Sequence, residues 1–400
     1  MNNLPPGWSY QKLNKLGLVG RGRSRNRPRN EPSLYGGPYP FFQTGDVKAA
    51  ELYLHEYSQT YNEKGLAQSK LWEPGVLLIT IAANIAESAI LGIRGCFPDS
   101  IVGFIADPNK SDVRFVKYAL DTLKLQMQSI SRGTTQDNLS LDKLLSIDIP
   151  TPPLPTQRKI AAILSAYDDL IENNTRRIAL LEELAQLLYR EWFVRFRFPG
   201  HADVPLVESA LGPLPQGWEV KRLEEICDLT MGQSPKSEFY NEDADGLPFH
   251  QGVTDFGNWF PQTRMYCTEL NRVAEDGDIL FSVRAPVGRI NVADRRIVIG
   301  RGLSAIHSKT GNQGFMLFQL KEKFQEEDSM GGGTIFKAVT KADMQGILLI
   351  VPSQKLVIEF ERMADSVLQQ IRNLTYRNTL LRTTRDLLLP RLISGAVAVG

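Results

Sequence analysis

The later part of this chain repeats itself in register. Gly133-Thr134 returns at Gly333-Thr334, Ile147 at Ile347 and Pro152 at Pro352. Ile171, Asn173, Thr175 and Arg177 return at Ile371, Asn373, Thr375 and Arg377, and Leu187-Leu188 at Leu387-Leu388. One such match is chance. A constant offset of 200 over roughly sixty residues is a duplication, and it demands one structural unit built twice. Earlier parts match more loosely. Pro6-Gly7-Trp8, followed by Leu13, resembles Gln216-Gly217-Trp218, followed by Lys221, Arg222 and Leu223. The stretch 72–78 (Trp-Glu-Pro-Gly-Val-Leu-Leu) resembles 274–280 (Ala-Glu-Asp-Gly-Asp-Ile-Leu).

Each copy has two parts. The first is rich in Gly and Pro, with short apolar runs at 76–81, 101–105, 279–283, 297–299 and 347–351 that read as strands bounded by turns. The second reads as one long helix, at about 156–193 and again at about 354–388, free of Gly and Pro inside. Pro152-Pro153-Leu154-Pro155 and Val351-Pro352-Ser353 read as stiff extended leads, and Pro199-Gly200, Pro390 and Gly395 as stops. At 1.5 Å per residue each helix reaches roughly 50 Å, a rod that needs a partner.

The apolar spacing supplies that partner. Ile160, Ile163, Tyr167, Leu170, Asn174, Ile178, Leu181, Leu184 and Leu188 recur in steps near 3 and 4. So do Val357, Phe360, Ala364, Val367, Ile371, Leu374, Asn378, Leu381, Arg385 and Leu388, which makes a coiled-coil-like seam. Asn174 and Asn378 either fix its register or face solvent at a slightly different phase. Leu164, Ile171, Ala185 and Trp192 widen the first stripe, leaving apolar surface for the mixed domains or for another subunit. The expected fold is α+β: two α/β domains joined by two long antiparallel helices, with an internal pseudo-twofold repeat. The boundaries read as 1–152, 153–198, 199–350 and 351–400.

Bulk properties exclude several classes. The net charge is +1, so a nucleic-acid binder must concentrate its basic residues locally. The three cysteines, Cys96, Cys227 and Cys267, are far apart and read as packed thiols of a reducing compartment. No charged-then-apolar leader opens the sequence, and the apolar run 76–83 is too short to span a bilayer, so a soluble cytoplasmic protein without membrane contact is expected. Catalytic signatures are missing. There is no GxxxxGK[ST] loop, no Asn-Pro-Pro-Tyr-like segment and no HExxH or Cys/His cluster. His55, His201, His250 and His307 are scattered, and Asp168-Asp169 and Glu182-Glu183 fall on a helix where a solvated face explains them. No catalytic residue, metal or cofactor is expected.

Positive charge gathers in 20–30, where Arg21, Arg23, Arg25, Arg27 and Arg29 alternate with Gly, Ser, Asn and Pro. On a flexible loop such arginines reach phosphates along a strand, and a guanidinium fork fits a guanine edge. The same place in the second copy holds Gln233, Ser234 and Lys236, polar but less charged. Gln43 and Gln251 follow aromatic-rich turns in both copies. Ser282, Arg284 and Arg289 flank Pro286, and Arg301 follows Gly300. Arg132 and Thr134, and Thr334 with Lys337, lie in Gly-containing loops that could approach a phosphate. Shared scaffold with unlike exposed chemistry is what two modules reading different sequences need.

Three stretches carry a family resemblance. Pro153-Leu154-Pro155-Thr156-Gln157-Arg158-Lys159-Ile160-Ala161 looks like the start, and Tyr189-Arg190-Glu191-Trp192-Phe193-Val194-Arg195-Phe196 the end, of the central conserved helix of type I restriction-modification specificity subunits. Leu388-Leu389-Pro390-Arg391-Leu392-Ile393-Ser394-Gly395 resembles the end of their C-terminal helix, and Gly7-Trp8 and Gly217-Trp218 also fit. Val351-Pro352-Ser353-Gln354-Lys355 departs from the pattern by lacking the full Pro-Leu-Pro. The resemblance implies two target-recognition domains, each reading half of a split double-stranded DNA site, with the helices as spacer. It also implies docking of two adenine methyltransferase subunits, and of restriction subunits that supply ATP-driven translocation and cleavage. S-adenosylmethionine belongs to the methyltransferase subunits. The rival readings are a coiled-coil adaptor that reads no sequence, and a fragment of a fused DNA methyltransferase or nuclease.

Overall fold

The structure is a computed structural model, and it describes residues 4–26, 28–131, 139–325 and 338–399. The chain forms two compact units, 1–176 with 374–400 (unit 1), and 177–373 (unit 2). Each unit therefore joins one mixed segment to a part of both long helices.

In unit 1 the central sheet runs in the order Gly17–Arg21, Ile101–Ala106, Leu77–Thr80, Ser88–Leu91, Tyr53–Leu54. Leu77–Thr80 is buried along its whole length, which is why it reads as a continuous apolar run rather than an alternation. One side of the sheet packs on helix α1 (Val113–Thr122) and on Ile160, Ala161 and Leu164; Phe42, Trp72 and Phe97 form a second cluster.

Unit 2 repeats the scheme with Cys227–Met231, Leu303–Ser308, Ile279–Ser282 and Ile290–Val292. The registers coincide. Leu77 pairs with Phe104 and Ile90, and Ile279 with Ile306 and Val292. Gln11 pairs with Ile149, and Lys221 with Leu349. The Gly-Trp starts form the same turn. Gly7 and Gly217 have φ of 82° and 89°, and the N–H groups of Trp8 and Trp218 donate to Pro5 and Pro215 at 3.1 and 3.0 Å. Only glycine adopts that backbone without strain. Trp218 lies against Phe193, Phe196 and Phe198. Trp8 lies against Gly395, whose φ is 72° and where a Cβ would come within 2.4 Å of Pro5.

The copies differ where their sequences differ. Unit 1 places there a two-stranded ribbon, Tyr35–Phe41 with Gln59–Tyr61. Unit 2 builds a five-stranded sheet in the order Tyr240–Asn241, Tyr266–Cys267, Leu247–His250, Ile297–Ile299, Val273–Ala274.

Helix α2 spans Leu154–Tyr189 and continues through a π turn, Arg190–Val194; unit 2 also holds α3 (Gln313–Lys323), and α4 spans Gln354–Ile393. Two sequence expectations about their ends need correction. Leu154 and Pro155 are helical rather than an extended lead, because a first-turn proline gives up an N–H that has no partner there anyway. Pro390 does not stop α4; the helix runs through it for one more turn, Ser394 N–H donates to the Pro390 carbonyl at 3.1 Å, and Gly395 ends it.

Ile160 and Asn174 in α2, and Val357, Phe360, Ala364, Ile371, Leu374 and Asn378 in α4, are buried as expected, but part of the α2 stripe departs from its expected phase. Ile163, Leu170 and Leu184, expected inside, are 39%, 52% and 59% exposed, while Leu164, Ile171, Ala185 and Trp192 are buried. Within unit 1 the helices run antiparallel, since Asn174 meets Asn378 and Asp168 meets Arg385. Both asparagines are buried. The Asn174 amide donates to Asn378 Oδ1 at 2.9 Å, and Asn378 Nδ2 donates to the Ile171 carbonyl and to Thr175 Oγ1. Asp168 accepts from Tyr118 and Arg385. In unit 2, Tyr189, Trp192 and Phe193 surround Phe360, and both Glu361 oxygens accept backbone N–H groups of α3, from Gly314 and Phe315, at 2.7 Å.

Candidate nucleic-acid interface

In both units the last strand residue of the first sheet strand leads into a pinned turn. Gly22 N–H donates to Ile101 and Arg23 N–H to Phe97; Gly232 N–H donates to Leu303 and Gln233 N–H to Ile299, all at 2.9–3.0 Å. A Cβ on Gly22 would lie 2.3 Å from the Pro98 carbonyl, and one on Gly232 2.2 Å from that of Gly300, so close backbone approach fixes glycine at both places. From this shared turn the two chains diverge.

The described residues of the arginine segment of unit 1 are held by hydrogen bonds and an ion pair, where a flexible loop was expected. Arg21 belongs to a strand and is exposed. Arg23 lays its guanidinium on the Ser69 carbonyl, Nε at 2.9 Å, and Ser69 Oγ donates back to the Arg23 carbonyl. The backbone N–H groups of Arg25 and Asn26 donate to Gln68 Oε1. Arg29 forms an ion pair with Asp99 at 2.5 Å. Arg21 and Arg25 are exposed, while Arg23 is engaged in holding its own turn. Arg27, Arg132, Thr134, Thr334 and Lys337 lie outside the described residues.

In unit 2 several candidates converge. Ser234 Oγ donates to Gln251 Oε1 at 3.1 Å, Gln251 Nε2 donates to Ser234 Oγ at 2.8 Å, and Arg301 N–H reaches the same hydroxyl at 3.3 Å. Gln233 and Arg301 are exposed beside them. Lys236 is exposed and lies 3.7 Å from Glu238. Arg284 and Arg289 are exposed. Ser282 is fully buried; its hydroxyl donates to the Pro286 carbonyl and accepts from Arg289 N–H, so it supports the turn and reaches no ligand. Two residues escaped the sequence reading. Asp255, buried, accepts from Gln251 N–H at 2.9 Å, and Arg264 binds the same carboxylate with its Nε at 3.2 Å. The signal for Asp255 was an aspartate shortly after a glutamine in both copies; Arg264 had none.

Among the described residues no group of His, Cys, Asp and Glu has a metal-holding arrangement, and no helix is long and apolar enough to cross a membrane. The cysteines are buried and unpaired, and burial pushes the Cys227 thiol up to about 12, far from a reactive thiolate.

Residues 5–183 and 215–360 match the family model of the type I restriction modification DNA specificity domain. The chain is 34% identical over 275 residues to a putative type I restriction enzyme MjaX specificity subunit of Methanocaldococcus jannaschii, a match spanning 66% of this chain and 64% of that protein. It is 26% identical over 428 residues to the type I restriction enzyme MjaIX specificity subunit of the same organism, spanning 100% and 95%. Its fold is that of the S subunit of a type I restriction-modification system from M. genitalium, with a TM-score of 0.63 at 16% identity over 98% and 97% of the two chains. With two matched segments covering most of its length, and the same scaffold built twice, this chain belongs to the family of type I restriction-modification DNA specificity proteins.

Proposed function

We propose that this chain is the sequence-reading subunit of a type I restriction-modification complex, working beside double-stranded DNA in the cytoplasm and carrying no catalytic chemistry of its own. Each mixed domain reads one half of a split site. The observation that carries this reading is the shared glycine turn from which unlike polar segments emerge, Arg21–Arg25 in one unit and Gln233–Lys236 in the other. Loop side chains supply base contacts and exposed arginines supply phosphate contacts.

Methylation and cleavage belong to partners. Exposed apolar residues recur at the 200-residue offset, Ile163 with Met363, Leu180 with Leu380 and Leu187 with Leu387. A repeated exposed apolar face suits two copies of one partner. We assign it to two adenine methyltransferase subunits, which bring S-adenosylmethionine, with restriction subunits joining them. The two long helices set the length of unread DNA between half-sites. Inserting the same whole number of turns into α2 and α4 is expected to lengthen that spacer in maps of modified adenines across the host genome; an unchanged spacer removes the ruler role, and a map that does not depend on the chain at all removes the reading itself.

A further inference from the structure

The unlike segments of the two units keep one arrangement in common. In unit 1, Phe41 is bridged in parallel to Cys96, Phe42 N–H donates to the Cys96 carbonyl at 2.8 Å, and Gln43 comes next. In unit 2, Phe249 and His250 pair in parallel with Val298 and Ile299, Gly300 N–H donates to the His250 carbonyl at 2.9 Å, and Gln251 comes next. Gln43 N–H then donates to Asp46 Oδ2 at 2.7 Å, and Gln251 N–H to Asp255 Oδ2 at 2.9 Å. Starting a turn or a short helix requires that backbone N–H, but not glutamine; Ser, Thr, Asn or Asp are the side chains favoured at such a position. The same disfavoured residue at both places points to a task for its side chain.

We propose that Gln43 and Gln251 are the equivalent base-reading residues of the two domains, each taking an A·T pair, and that Asp46 and Asp255 are the positioning residues that hold them. This rests on the DNA-reading role given above. A carboxamide carries a donor and an acceptor on one edge and matches the N6 donor and N7 acceptor of adenine in the major groove. Discrimination needs that edge held within narrow limits. Gln251 is held at both ends of its backbone, by Asp255 on its N–H and by Gly302 N–H on its carbonyl at 3.2 Å. Gly300 and Gly302 leave no room for it to shift: a Cβ on Gly300 would lie 2.9 Å from Gln251 Oε1, and one on Gly302 2.6 Å from the Gln251 carbonyl. Asp255 is itself buried and fixed by Arg264. In the free protein the Ser234 hydroxyl covers the amide edge, donating to Oε1 and accepting from Nε2. Adenine presents the same donor-acceptor pair and takes the place of that hydroxyl. In unit 1 the exposed Gln43 donates one of its two amide N–H groups to Gln59 Oε1 at 2.7 Å, and Ser58 joins Asp46 at 3.3 Å.

The test is a map of modified adenines in the host carrying the full chain or a variant. Gln251→Ala is expected to relax a preference of about ten- to a hundredfold at one A·T position of one half-site, and Gln43→Ala to do so in the other half-site only. Asp255→Asn is expected to relax the same position as Gln251→Ala. Wild-type profiles in both glutamine variants overturn the proposal while leaving the DNA-reading role intact; a wild-type profile in Asp255→Asn alone overturns the positioning role. If a glutamine variant abolishes modification, binding of the full chain to the target duplex is compared with binding to a duplex in which that A·T pair is replaced. Equal affinity supports the proposal, and undiminished discrimination overturns it.

Discussion

Two copies of one fold build one contact between their mixed domain and the long helices by opposite means. In unit 1 the contact is ionic: the Tyr118 hydroxyl and the Arg385 guanidinium converge on Asp168, whose side chain is 4% exposed, and Glu51 stands 3.8 Å from Arg385. At the 200-residue offset the same three positions are Phe318, Leu368 and Ala185, which pack in one apolar cluster. The polar links of unit 2 sit elsewhere, at Glu361 on the first N–H groups of α3, at Glu182 with Lys321 and at Glu322 with Arg190. Apolar packing tolerates small shifts because it has no direction. A buried ion pair is adequate in one geometry and costly in every other. Unit 1 is thus the copy that specifies this one contact by directed bonds.

That contrast can be broken experimentally. The largest effect is expected from Asp168→Ala, which takes the buried partner from a half-buried Arg385 and costs about 3 kcal/mol; Glu51 and Asp386 keep the loss at the low end for a broken buried pair. The triple change Tyr118→Phe, Asp168→Leu, Arg385→Ala, which copies unit 2, is expected to be neutral or stabilising by about 1–4 kcal/mol. Hydrogen exchange of unit 1 amides separates the outcomes, and a triple variant as unstable as the single one would refute the comparison. Asn174→Leu comes next, at about 1–2 kcal/mol, since Asn378 keeps its bonds to Ile171 and Thr175. Adding Asn378→Ile completes the copy of Leu374 and Ile178 and is expected to recover the loss, measured by denaturant unfolding.

The finest test uses pH. Burial pushes the Glu361 carboxyl up to about 7, against the two N–H donors that lower it. A raised carboxyl pKa means the folded state holds the proton more tightly, so this contribution is complete below about pH 4.3 and is lost as pH rises through about 7. Wild type measured against Glu361→Gln should lose stability with rising pH in that window, by at most about 1.4 kcal/mol per pH unit. A pH-independent difference would place the charge on Glu361 throughout.

Much of this was legible in the sequence. The repeat, the five apolar runs that are strands, and the two long helices need only periodicity, which belongs to each element alone. The phase of part of the α2 stripe was not legible: Ile163, Leu170 and Leu184 satisfy the same spacing as the buried set, and what faces inward depends on what the rest of the unit leaves room for. Pro390 misled because a proline gives up the bond of its own N–H to the turn before it, while the turn after it keeps its bonds, as Ser394 N–H to the Pro390 carbonyl does. For the candidate site the sequence shows that the segments after Gly22 and Gly232 correspond, but not how their side chains are engaged. Whether Arg23 faces a phosphate or Ser69, or whether Ser282 lies in a loop or beneath one, is settled by carbonyls far away in the chain.

The Gly395 turn against Pro5 and Trp8 bears on the order of assembly. Unit 2 is one uninterrupted stretch, 177–373, whereas unit 1 needs 374–400 as well as 1–176. As the chain leaves the ribosome, unit 2 has all its residues before unit 1 does, and the segment made first must wait for 374–400. Removing 374–400 should therefore damage the recognition domain of unit 1.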